Sequence, residues 1–193
     1  MKSKIIGFYQ GTYRHPGTNK TIDEMWKWDD HHLEGIHGYM TWWFPTKKQA
    51  VSAEWDPITD EEIQQFKDDT ELRKRYVKSF YRILAFYGYE IDTTSSPLKI
   101  RRADNYEERK AIWVTPENHN YRRLSRILQS LVLLGFADAA NMFLQALMAT
   151  YFENKKITTI IDARYAHERP TILITNYTRE KLASTLSPAV LDR

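Results

Sequence analysis

The stretch Gly38–Pro45, GYMTWWFP, constrains this chain more than any other. Three aromatics in a row, Trp42, Trp43 and Phe44, stop at Pro45. Rings of this size bury large apolar areas, and a cluster of them usually fixes a domain core. A proline directly after them turns the chain out of a helix. Upstream, Leu33, Ile36, Met40 and Trp43 recur at helical spacing. The pattern predicts one helix, capped by Asp29 or Asp30, running into Phe44 with its aromatic end buried. Trp26, Trp28, Tyr39, Trp42 and Trp43 can also be read as a stacking surface or a peptide groove. Their helical spacing favours core packing.

The remaining segments read as further helices. Ile5, Ile6, Phe8 and Tyr9 form a short apolar opening, followed by a loop over residues 11–19. Thr21-Ile22-Asp23-Glu24 and Thr59-Asp60-Glu61-Glu62 are capping boxes. Asp69 is placed to cap a longer helix with Leu72, Tyr76, Phe80, Ile83, Leu84 and Tyr87 on one face, and Gly88 stands at its left-handed end. Residues 92–97 form a loop, and residues 99–114 carry no clear period. Thr115-Pro116-Glu117 has the cap, proline and acid of a helix start. That helix turns Leu124, Ile127, Leu128, Leu131 and Leu134 inward and ends at Gly135, where an alanine-rich helix, 137–153, folds back on it. The expected class is all-α: a compact multi-helix domain over residues 1–157, with a short α/β-like appendage over 158–193. In the appendage Thr171–Thr175, TILIT, reads as a lone strand between two helices. A lone strand needs a sheet to join, and nothing earlier in the chain reads as its partner.

Composition narrows the function classes. The absence of cysteine removes disulfides, thiolate zinc sites and cysteine nucleophiles, and fits a cytoplasmic setting. A net charge of +3 from 28 basic and 25 acidic residues does not by itself argue for nucleic acid. No apolar run reaches the roughly 18 residues of a membrane span, and the opening apolar run is too short for a signal peptide. No serine sits in a nucleophile elbow, and no G-x-x-x-x-G-K-[ST] loop is present. The expectation is a protein without catalytic residues or cofactor.

Two groups of residues qualify as sites. Asp30, Glu34 and His37 fall at i, i+4 and i+7, so on one helix they share a face and can hold a divalent metal. The competing reading is a solvated acidic face with one hydrogen-bonded histidine. Arg122, Arg123 and Arg126, with Asn118 and His119, concentrate positive charge at a helix start, and Arg101, Arg102, Arg109 and Lys110 can lie nearby. This block suits an anion or a phosphate backbone. It equally suits ion pairing with Glu107, Glu108 and Glu117.

From about Phe8 to Ile157 the sequence resembles the conserved domain of the opioid growth factor receptor family. The likeness rests on FYQG (8–11), WKWDD (26–30), His37 with Tyr39, WWFP (42–45), LAFYG (84–88), ADNY (103–106) and NHNYRRLSRILQSLVLLG (118–135). Animal members are described as receptors for an opioid growth-factor peptide and are linked to the nucleus and its membrane. The resemblance implies a non-enzymatic binding or signalling module with a peptide, protein or anionic ligand. The candidate ligand residues are Asn118, His119, Arg122 and Arg126, with Trp42 and Trp43 lining a shared cleft. The alternatives are a nucleic-acid-associated accessory protein using Arg122, Arg123 and Arg126, and a metal-dependent enzyme at Asp30, Glu34 and His37. Residues 159–193 resemble the end of an AAA+ ATPase of the helicase-loader kind, with Asn176 as a sensor asparagine and Arg193 as an arginine finger. Without the phosphate loop, the resemblance implies a degenerate fragment fused to the first domain.

Overall fold

A computed structural model of the protein describes residues 3–47 and 57–154. Among these residues the chain is mainly helical, with one small antiparallel β-hairpin. Helix α1 (Lys4–Tyr9) is capped by Ser3. Helix α2 (Ile22–Met25) starts at the Thr21–Glu24 capping box, and α3 (Asp30–Gly35) is capped by Asp29. Helix α4 (Tyr39–Trp43) carries the aromatic run. The Thr59–Glu62 capping box opens α5 (Asp60–Asp68), and Asp69 caps α6 (Thr70–Phe86).

Helix α6 is the central element, packing against α1, α5 and the hairpin. Leu72, Tyr76, Phe80, Ile83 and Leu84 form its buried stripe, as the sequence period predicts. It ends at Gly88, whose φ of +82° is one that L side chains rarely adopt. A Cβ there would lie 2.8 Å from the Tyr106 Cα, so Gly88 also permits a close backbone approach. The all-α expectation needs correction at this point. Strands β1 (Tyr89–Asp92) and β2 (Lys99–Arg102) pair in antiparallel register, Tyr89 opposite Arg102 and Ile91 opposite Ile100. Tyr89 and Ile91 point one way and pack on the core, while Glu90 and Arg101 pair on the other face. Strands of four residues give too short an alternation to stand out in a sequence rich in charge.

Helix α7 (Tyr106–Trp113) follows, then α8 (Asn120–Leu133) and α9 (Ala137–Asn154), which pack together across the Gly135 turn. The Thr115-Pro116-Glu117 signal does not start α8. Glu117 takes φ +55°, and the side chain of Asn118 organises the turn instead. Its amide donates to the Ile112 carbonyl and to Thr115 Oγ1, and its oxygen accepts from the Asn120 backbone.

The helix expected from Asp30 to Phe44 is broken in two. Gly35 and Gly38 each weaken a helix by about 1 kcal/mol relative to alanine, and Ile36 between them is extended (φ −95°, ψ 123°). The core residues of the predicted stripe remain inside: Leu33, Met40 and Trp43 are buried. Trp42 packs edge-on to Phe8 and stacks on Tyr13 at 5.6 Å; Trp43 packs on Tyr39, and Phe44 on Tyr76. The Tyr9 hydroxyl donates to the Trp43 carbonyl, which fastens α4 to α1. The predicted strand at Thr171–Thr175 and its flanking helices lie outside the described residues.

Candidate functional site

The break between α3 and α4 exposes carbonyls that no helical N–H can reach. Arg123, on α8, takes them. Its Nη1 donates to the Leu33 carbonyl (2.8 Å) and its Nη2 to the carbonyls of Glu34 (3.0 Å) and Ile36 (3.2 Å). Nη1 also reaches Asn120 Oδ1 at 3.3 Å. The guanidinium side chain is only 6% exposed, so these bonds are made away from water. A cation at a helix C-terminus is also favoured by the helix dipole. Arg123 therefore locks the α3–α4 junction onto α8.

A polar cluster grows around that lock. Arg123 Nη2 lies 3.0 Å from His37 Nδ1. Arginine only donates, so His37 accepts through Nδ1. Asn120 donates to both carboxylate oxygens of Glu34 at 3.2 Å, and His119 Nε2 lies 3.2 Å from Glu34 Oε1. The His37 and His119 rings meet edge to face at 4.9 Å. Burial, helped by the Arg123 charge, holds the His119 imidazole below its ordinary pKa, while Glu34 acts the other way. Both imidazoles are exposed at the surface, beside a junction held by the buried Arg123 and Asn120.

The other predicted site residues separate into distinct roles. Arg122 is exposed and makes no side-chain hydrogen bond or ion pair among the described residues. Arg126 turns inward, donating to the Phe44 carbonyl (3.3 Å) and Thr46 Oγ1 (3.2 Å). Asn118 serves the turn before α8. Trp42 and Trp43 are core residues, at 3% and 0% exposure, so they line no cleft with Arg122 and Arg126. Asn176 and Arg193 lie outside the described residues.

The basic block is accordingly not a continuous cationic surface. Arg123 and Arg126 are spent on backbone carbonyls. Arg109 is buried, donating to the Phe86 carbonyl and approaching Asp30 at 3.5 Å. Arg101, Arg102 and Lys110 pair with Glu90, Glu153 and Glu107.

The face expected to join Asp30, Glu34 and His37 does not form, because α3 ends at Gly35. Asp30 is held by Arg82 and Arg109. Glu34 and His37 instead meet His119. Sequence reasoning missed the internal role of Arg123 and the buried Asn120. A signal for both existed: Asn120, Arg123, Leu124, Ile127 and Leu131 fall on one helical stripe, so the two polar residues share the apolar face. A buried arginine on such a face needs several acceptors, and a glycine-flanked helix break supplies them.

The fold and this junction define, among the described residues, a mainly helical domain with a polar cluster that holds backbone in place. Comparison with known proteins supplies the family. Residues 2–173 match the opioid growth factor receptor (OGFr) conserved region, and the chain belongs to that family. The match continues past Ile157, the end of the domain expected from sequence. Opioid growth factor receptor-like protein 1 of Xenopus tropicalis is 32% identical over 159 residues, covering 78% of this chain and 30% of the relative. Its counterpart in Mus musculus is 35% identical over 136 residues, covering 70% of this chain and 27% of the relative. The opioid growth factor receptor of Homo sapiens is 31% identical over 135 residues, covering 67% of this chain and 19% of the relative. The chain thus matches under a third of the length of these relatives, which are named as receptors or receptor-like proteins. No solved structure matches. No helix among the described residues is long and apolar enough to cross a membrane.

Proposed function

We propose that this chain is a non-enzymatic binding module that takes a peptide by an anionic group, its C-terminal carboxylate, at the surface formed by His37, His119 and Arg122. The observation that carries this reading is the contrast between two adjacent arginines on α8. Arg123 is buried and fully committed to the α3–α4 junction. Arg122 is exposed and free of partners among the described residues, three positions after His119 on the same helical turn. Guanidinium recognises carboxylates through paired donors. The rigid frame beneath it lowers the ordering cost of binding. A peptide ligand also accords with the names of the human and rodent relatives, opioid growth factor receptor.

The test is calorimetric titration of opioid growth factor peptide, with a free or an amidated C-terminus, into the full chain and into Arg122→Ala. A charge-assisted hydrogen bond is worth about 1.5–3 kcal/mol, so the substitution or the amide should weaken binding by about tenfold or more. Equal affinity for both peptides in both proteins would refute the site.

A further inference from the structure

A second cluster, separate from the junction, lies at the start of α3. Asp29, His31 and His32 are all exposed, and one donor atom from each lies within 4.8 Å of the others. We propose that these three side chains form a surface site for a borderline divalent metal ion of the Zn²⁺, Ni²⁺ or Cu²⁺ type. Two imidazoles and one carboxylate are the donor set such ions select over Mg²⁺ or Ca²⁺, which prefer all-oxygen shells. Three protein ligands leave positions for water, so the site is open rather than a closed structural centre.

The local geometry prepares the donors. Asp29 Oδ1 accepts from the His32 backbone at 2.9 Å and lies 2.7 Å from His32 Nδ1. The His32 ring lies nearly parallel to Trp28, with centroids 6.2 Å apart. Neighbouring carboxylates do not compete for the ion. Asp30 is held by Arg82 and Arg109, and Glu34 by Asn120 and His119.

The test is titration of Zn²⁺ into the untagged full chain by calorimetry, with the Trp28 indole N–H followed by NMR. Saturable one-to-one binding that shifts the Trp28 signal is expected. His31→Ala and His32→Ala should each weaken it by at least about tenfold. Asp29→Asn, which keeps a competent helix cap, should weaken it too. No saturable binding, or binding that survives loss of His31 and His32, would overturn the proposal.

Discussion

Replacing Arg123 with methionine tests the physical core of this account. Methionine fills most of the same volume, so the apolar contribution changes little. The substitution removes the hydrogen bonds the guanidinium makes to the carbonyls of Leu33, Glu34 and Ile36, to Asn120 Oδ1 and to His37 Nδ1, and its 3.9 Å ion pair with Glu34. Each bond to a charged donor is worth about 1.5–3 kcal/mol when broken by substitution. They share two nitrogens and are not additive. Loss of a buried charged partner typically costs about 3–5 kcal/mol in total, and that is the destabilisation expected here. Urea unfolding followed by tryptophan fluorescence measures it, since a shift in midpoint at unchanged slope reports stability alone. Hydrogen exchange should accelerate most across the α3–α4 junction, where the carbonyls of Leu33, Glu34 and Ile36 lose their donor. Arg123→Lys keeps the charge without the fork and should fall between parent and methionine variant. A loss within about 0.5 kcal/mol, the size of an ordinary surface change, would refute the idea that Arg123 locks α3–α4 onto α8.

Further outcomes follow from the same contacts. Trp42→Ala should cost about 3–5 kcal/mol, because the ring packs between Phe8, Tyr13 and His15; a loss below about 1 kcal/mol would contradict its core role. His119 has a folded pKa depressed by burial, so the unfolded chain binds more protons just below the ordinary imidazole value of about 6.5. Its contribution to stability is therefore present above that pH and is lost as pH falls through the folded pKa. The midpoint of thermal unfolding should drop over that interval, and less so in His119→Gln; an increase on acidification that depends on His119 would reverse the sign. A chain ending at Ile157 should unfold in one cooperative transition at a midpoint close to that of the full chain, and a molten or insoluble product would place residues beyond 157 in the fold.

Much of the architecture is legible in the residues themselves. Thr21, Thr59 and Asp69 cap helices because their side chains meet backbone donors three residues on or nearer, an interaction local enough to read along the chain. The α6 stripe and the Gly88 end are equally local. What escaped depends on long-range geometry. Glycines at 35 and 38 permit a break, but Arg123 of α8, 87 residues beyond Ile36, holds it open. Thr115-Pro116-Glu117 carries every local mark of a helix start, yet Asn118 satisfies Ile112 and delays the helix to Asn120. Of the candidate site residues, His37 and His119 meet at the junction and Arg122 is exposed, whereas Trp42 and Trp43 lie in the core because their size makes them its anchors. Asp30 was lost from the cluster to Arg82, a contact across 52 residues that no spacing rule reveals.

The most direct measurement is a map of where a peptide carboxylate lands. NMR titration of the full chain with opioid growth factor peptide should move the signals of His37, His119 and Arg122 together, leave the buried Trp43 indole unmoved, and lose the effect in Arg122→Ala. Shifts confined to other surfaces, or a response that persists unchanged without Arg122, would contradict the account.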